Sequence, residues 1–295
     1  GAVCTLGLAI IGIHAHVQRN VMSDPECVPA EIGRPKSKTA TSMGLRESAK
    51  YLAASPYIRN LAMLVIAYGM SINIVEVTWK GNLKRAFPDP NAYSAFMGNF
   101  STATGSVTLV MMILGRFIFQ KFGWTTAALV TPTVLALTGA FFFSLILFEG
   151  TFAPVLSFFG TTPLMAAVLI GAVQNILSKS SKYSLFDPCK EMAYINLDAE
   201  QKTKGKAAVD VIGNPLGKSG GSFIQQVLIV SLGSLSASTP YLAAILVGII
   251  GVWFTSAKSL GGMIKKFEDK EESDELAKAK KGPAAASTSP TVVAA

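Results

Sequence analysis

Charge is what this chain has least of. Only 15% of its 295 residues are Asp, Glu, Lys or Arg, against roughly 25% in an ordinary soluble domain. Half are hydrophobic and the mean hydropathy is +0.43, which argues against a water-soluble globular fold. Cysteine is equally scarce. Cys4, Cys27 and Cys189 are odd in number and show no CxxC spacing, so neither a zinc site nor a disulfide framework is indicated. Histidine is limited to His14 and His16, which point to different faces of a helix and support neither a shared metal nor a Ser/His/Asp arrangement. The string GNPLGKS invites comparison with a phosphate loop. It has three residues between Gly213 and Gly217 where the pattern needs four, Pro215 interrupts it, and no strand pattern precedes it. These absences point away from an enzyme and from any resident cofactor.

What the chain does have is long apolar runs. Scanning for stretches of about 17 to 25 predominantly apolar residues gives seven: roughly 1 to 18, 57 to 78, 91 to 118, 124 to 148, 161 to 178, 207 to 235 and 239 to 257. The fourth and the last contain no charge, so neither reads as an amphipathic surface helix, which needs a polar stripe. If the seven alternate across a bilayer, 21 of the 26 Lys and Arg fall on one side, in the 19 to 56 loop, the short third connection (Arg116, Lys121), the 179 to 206 loop and the tail. Lys80, Lys84 and Arg85 lie on the other side, and Arg59 and Lys218 lie within segments. That asymmetry is what the positive-inside rule expects. The net charge of +8 is then mostly topology, and no nucleic-acid partner is indicated.

The chain opens at Gly1 within an apolar run and without an initiator Met, which predicts a fragment. One helix (1–18), a basic loop of nearly 40 residues (19–56) and six closely spaced helices (57–264) match the last helix of a first half, a central connection and the second half of a six-plus-six-helix transporter. The expected fold is an all-α integral membrane protein. Residues 265–295 form a charged stretch, read as a short helix, and then an Ala/Ser/Thr/Pro-rich tail whose last fifteen or so residues read as disordered.

Polar groups inside the apolar runs carry the functional signal. Lys218 lies in the sixth run, where a lysine at the bilayer centre costs about 2.5–3.5 kcal/mol; an anionic cargo would offset that. Asp210, Asn214, Lys218 and Gln225 are spaced four, four and seven, so on a regular helix they share one face and should line a water-filled cavity. Gly213, Pro215, Gly217, Gly220 and Gly221 crowd the same stretch and predict a kinked or unwound helix; close helix packing is the alternative use of the glycines. Lys218 could also pair with Asp210. In the second run Asn73, Glu76 and Lys80 fall at helical spacing. Glu76 can pair with a lysine across the cavity, carry a proton, contact a sugar hydroxyl, or simply pair with Lys80. Gln174, Asn175, Ser178 and Lys182 extend a further polar face, and the third run carries hydroxyls from Ser101 to Thr108.

Two stretches, YIRNLAMLVIAYGMSINIVEVTWKGNLKRAFPDPNAYSAFMGNFSTATG (57–105) and SLFDPCKEMAYINLDAEQKTKGKAAVDVIGNPLGKSGGSFIQQ (184–226), resemble the nucleotide transporters that exchange ATP for ADP across the plastid inner envelope and the membranes of obligate intracellular bacteria. The resemblance runs from about residue 1 to 267, and the tail is more like the plant plastid form. It implies a fold like the major facilitator superfamily, counter-exchange of ATP for ADP plus phosphate, and a transport role for Glu76 and Lys218. On that basis Lys218 is expected to hold a phosphate, Asn214 and Gln225 to supply hydrogen bonds, and the N-terminal half to complete the clamp. Phe96, Phe100 and Tyr183 are candidates for stacking on adenine. The rival expectation is a proton-coupled transporter of the same architecture, with Glu76 as the carrier.

Overall fold

A computed structural model describes residues 2–20 and 44–281, all of it helix and short connection with no strand among the described residues. Two units separate, 1–42 and 43–295. The first contributes one helix, α1 (Ala2–Asn20). The second contains α2 (Leu45–Ala54), α3 (Pro56–Ala86), α4 (Pro90–Leu147), α5 (Glu149–Phe158), α6 (Pro163–Ser181), α7 (Asp187–Ala193), α8 (Ala199–Ala208), α9 (Asn214–Leu232) and α10 (Leu235–Lys281). Wider π turns at Lys182–Phe186 and Val209–Gly213 join α6 to α7 and α8 to α9.

Helix starts follow from the local sequence. A hydroxyl or carboxylate followed by proline satisfies a free N–H and presets the first turn. Ser55 accepts from Ile58 N before Pro56, Asp89 from Ala92 N before Pro90, and Thr162 from Met165 N before Pro163. At the other end of α9, Gly233 takes the left-handed conformation (φ 81°) that closes a helix without Cβ strain.

Among the described residues, four helices are long and apolar enough to cross a membrane: 56–86, 90–147, 163–193 and 235–270. The 58 residues of α4 would run about 87 Å at 1.5 Å per residue, twice what a bilayer of about 40–45 Å needs. Gly123, at φ 73° and ψ −178°, divides α4 into two helices, so the expected third and fourth runs are separate helices whose connection has shrunk to one glycine. The first and sixth expected runs, α1 and α9, are not among the four. Each is 19 residues long and carries its own polar positions, His14, His16, Gln18 and Arg19 in one and Asn214, Lys218, Gln225 and Gln226 in the other.

Two expectations need correction. The 19–56 stretch, read as a loop, includes α2, which packs against α8; residues 21–43 lie outside the described part. The charged stretch after Phe267 is the continuation of α10 to Lys281 rather than a separate short helix, and the low-complexity tail lies outside the described residues.

Within the second unit α3 is the central element, packing against α6, α9 and α10. Ile58, Leu61, Leu64, Ile74, Val75, Trp79 and Leu83 of this helix are all but fully buried. Burying such side chains contributes about 1.5–3 kcal/mol each where water is the alternative; where lipid is the alternative, the gain comes from packing contact. The outward faces of α4 and α9 carry Leu109, Ile113, Phe117, Phe223 and Val230, all largely exposed.

Candidate functional site

A cavity of about 410 Å³ opens between α3, the π turn and α7 that follow α6, and the start of α9. Its walls include Tyr68, Asn73 and Glu76 from α3, Lys182, Phe186, Asp187 and Lys190 from the turn and α7, and Asn214 and Lys218 from α9. Three lysines and two acidic residues therefore line one space.

The close approach of α3 and α9 fixes the register of that wall. A Cβ on Gly69 would stand 2.6–2.8 Å from the backbone of Gly217, and one on Gly221 would meet Asn73 and the Met70 carbonyl at 3.0 Å. Glycine is required where two backbones touch in this way. The crowded glycines thus serve packing, and α9 is regular from Asn214 onward. The irregular stretch lies just upstream, at Val209–Gly213, which is where the expected break belongs.

Asn73 is the polar bolt between the same two helices. Its Oδ1 accepts from Gln225 Nε2 at 3.0 Å and from Ser222 Oγ at 3.2 Å. Gln225, only 3% exposed, is spent on that contact and is not part of the cavity wall. Asp210 is exposed and outside the wall as well; its Oδ1 accepts from Asn214 Nδ2 at 2.9 Å. Of the expected stripe, Asn214 and Lys218 face the cavity while Asp210 and Gln225 do not. The wide turn at 209–213 breaks the α-helical phase upstream, and Asn73 claims the amide downstream. Lys218 is exposed and has no carboxylate within ion-pair distance among the described residues.

Glu76 holds two cations. Its Oε1 lies 2.8 Å from Lys80 Nζ, one helical turn on, and 3.4 Å from Lys179 Nζ on α6. The local pairing with Lys80 occurs as the sequence offered, and the second partner, Lys179, comes from α6 outside the cavity wall rather than from across the cavity. Lys179 Nζ also lies 5.4 Å from the centre of the Phe100 ring, within the range where a cation is attracted to a ring face.

Other polar positions turn inward instead. Gln174, Asn175 and Ser178 are fully buried; Gln174 Nε2 donates to Ser178 Oγ and Asn175 Nδ2 to the Gly171 carbonyl. The hydroxyls of Ser101, Thr102, Thr104, Ser106 and Thr108 bond carbonyls one turn back on their own helix, and Thr108 also reaches Ser180 at 3.0 Å. The aromatic candidates are elsewhere. Phe96 and Phe100 pack on Trp79 and Tyr183 stands beside Lys182, whereas the rings lining the cavity are Tyr68 and Phe186, stacked with centroids 4.9 Å apart. Lys182, Asp187 and Lys190 face the cavity because helix continues through a π turn after α6. In sequence Lys182 closes a polar face and, with Lys190, falls among the loop cations, while Asp187 is not singled out.

Comparison with known proteins agrees with this picture. The family model described as TLC ATP/ADP transporter matches residues 1–264. The chain is 57% identical over 270 residues to ADP,ATP carrier protein 2, chloroplastic, of Arabidopsis thaliana, covering 92% of this chain and 43% of that protein. It is 60% identical over 237 residues to the plastidic ATP/ADP-transporter of Solanum tuberosum, covering 80% of this chain and 38% of that protein. Over 256 residues it is 53% identical to ADP,ATP carrier protein 1 of Chlamydia pneumoniae, covering 86% and 50%. The chain thus spans between about two fifths and one half of the length of these relatives. No solved structure gives a significant match. With a family match that takes in nearly all the described residues and the cavity built from them, the chain belongs to the TLC ATP/ADP transporter family.

Proposed function

We propose that this chain forms the second half of an antiporter that exchanges ATP for ADP plus phosphate across the plastid inner envelope by alternating access, in a bundle like that of the major facilitator superfamily. One observation carries the reading: Lys218, with no ion-pair partner among the described residues, opens into a cavity of about 410 Å³ whose other polar walls include Asn73, Glu76, Asn214, Lys182, Asp187 and Lys190. The family and the relatives' names supply the nucleotide; the cavity supplies the chemistry that would hold its phosphates.

A polyphosphate of about four negative charges at neutral pH needs several charge-assisted hydrogen bonds. Lys218 supplies one compact cation, with Asn214 beside it as a neutral donor or acceptor. Cations from the N-terminal half would complete the clamp, and rocking of the two halves would expose it alternately to each side. Asn73 and Gln225 act here by holding α3 against α9, and Asp210 by orienting Asn214. The exposed apolar faces of α4 and α9 fit contact with lipid. Glu76 serves as the partner of Lys80 and Lys179, and a proton carrier at that position would have to break both pairs in every cycle.

Counter-exchange in liposomes containing the complete transporter tests the reading. Uptake of labelled ATP should depend on ADP or ATP preloaded inside and should be indifferent to a pH gradient. Lys218→Ala should lower exchange by at least about tenfold, the loss of one charge-assisted contact, while leaving insertion and thermal stability intact. Uptake that follows the pH gradient into empty liposomes, or normal exchange by Lys218→Ala, would overturn it.

A further inference from the structure

The cations on the cavity wall are unequally free. Among the described residues Lys218 has no ion-pair partner, but Lys182 has a tight one: its Nζ lies 2.6 Å from Asp187 Oδ2, each side chain about one-third exposed. Five residues apart, these two would not meet on a regular α-helix, where neighbours are three and four apart. The π turn brings them together. Its i+5 backbone bond, from Asp187 N–H to the Lys182 carbonyl, sets residue 187 over residue 182. The Lys182 ammonium also lies 4.6 Å from the centre of the Tyr183 ring and 5.8 Å from that of Tyr68, contacts that favour a cation held at this point. Neighbouring helix braces the turn, since a Cβ on Gly115 of α4 would stand 2.7 Å from the Ser184 carbonyl.

We infer, resting on the reading of this cavity as a nucleotide site, that Asp187 is a built-in competitor for the cargo's phosphate, holding Lys182 in the empty cavity and surrendering it to an entering polyphosphate. The exchange is of one anion for another at the same ammonium. A phosphate oxygen makes the same N–H···O hydrogen bond that the carboxylate made, and Lys182 is already partly withdrawn from water, so its desolvation need not be met again on binding. An anion bearing several charges can hold Lys218 and still displace Asp187. One with fewer charges cannot do both, and a neutral solute displaces nothing. The pair thereby discriminates by charge count, with Asp187 acting against weak anions as Lys182 acts for strong ones.

Binding measured calorimetrically on the complete transporter in detergent tests this, with ATP, inorganic triphosphate and adenosine as probes. Lys182→Gln should weaken ATP and triphosphate by about tenfold, one lost charge-assisted contact, and leave adenosine unchanged. Asp187→Asn should shift both anions the other way, several-fold tighter. A pair that only braces the turn would give both substitutions the same sign, and that result overturns the inference. Should Asp187→Asn fail to fold, Lys182→Gln decides alone, because equal losses for ATP and adenosine overturn it. Wild-type protein that binds triphosphate but exchanges no nucleotide defeats the proposed function and not the competition; exchange with same-sign variants defeats the competition alone. Binding of neither anion by the wild type defeats both.

Discussion

Single residues in this chain are tightly specified where helices touch. Trp79 is fully buried and donates from Nε1 to the Val168 carbonyl at 2.9 Å, while Gly171 opposite leaves room for its ring and that of Phe142. Trp79→Phe should therefore lower stability by about 1–3 kcal/mol, through a lost hydrogen bond and a poorly filled site, read as a lower midpoint of thermal unfolding in detergent. Gly69→Ala places a methyl against the Gly217 backbone, and a cost of about 1–3 kcal/mol for overpacking should appear together with weaker exchange. Gly98→Ala, where nothing lies within 4 Å of the new methyl, is the control and should be neutral or slightly stabilising. Equal effects at positions 69 and 98 would contradict the backbone contact. Lys218 and Asn214 were legible at this scale, because a lysine in an apolar run is rare and their spacing of four holds on a regular helix. Lys190 and Asp187 were not. Nothing local to KYSLFDPCK says that helix resumes after Lys182, and only the packing of that turn on α4 turns the charges inward.

Among the elements, caps were readable and wide turns were not. Ser-Pro, Asp-Pro and Thr-Pro mark the starts of α3, α4 and α6 at positions 55–56, 89–90 and 162–163, since each pair combines a side-chain acceptor with a residue that needs no N–H partner. A π turn has no such signature. The one at 209–213 defeats a count of spacings that assumes 3.6 residues per turn across Asp210. Asn73 joins α3 to α9 through Gln225 and Ser222, so Asn73→Ala should leave the buried Gln225 amide without its acceptor. We expect a loss of about 1–3 kcal/mol, seen as a lower unfolding midpoint, with the affinity for ATP changed less than by Lys218→Ala. The opposite ranking would mean that Asn73 acts on cargo rather than on helix packing. Gly123 is a different case. Its φ of 73° carries the break in α4 with open space around it, so Gly123→Ala should cost about 1–2 kcal/mol from backbone strain alone.

At the scale of the whole molecule the distribution of cations predicts an orientation. Lys84 and Arg85 close α3, whereas Lys202, Lys204 and Lys206 lie on α8, and the positive-inside rule predicts that these two groups lie on opposite faces of the membrane. Single cysteines introduced at positions 84 and 202, on a background lacking the three native ones, should be labelled by an impermeant maleimide from opposite sides of sealed vesicles. Labelling of both from one side would refute the alternation of helices. The all-α membrane character was plain from hydropathy because lipid exposure leaves a strong compositional trace, and the division of the third and fourth runs, read from the sequence at the same place, is made by the backbone at Gly123. One feature of α10 reaches beyond the bilayer. Its 47 residues form one continuous helix, with Pro240 inside it, of about 70 Å at 1.5 Å per residue, and a hydrocarbon layer of about 30 Å cannot contain it. The surplus is a mast stepped in the hull of the protein: if the hull heels in a transport cycle of the kind proposed above, a dye at the masthead should travel farthest, making that tip the natural station for watching turnover one molecule at a time.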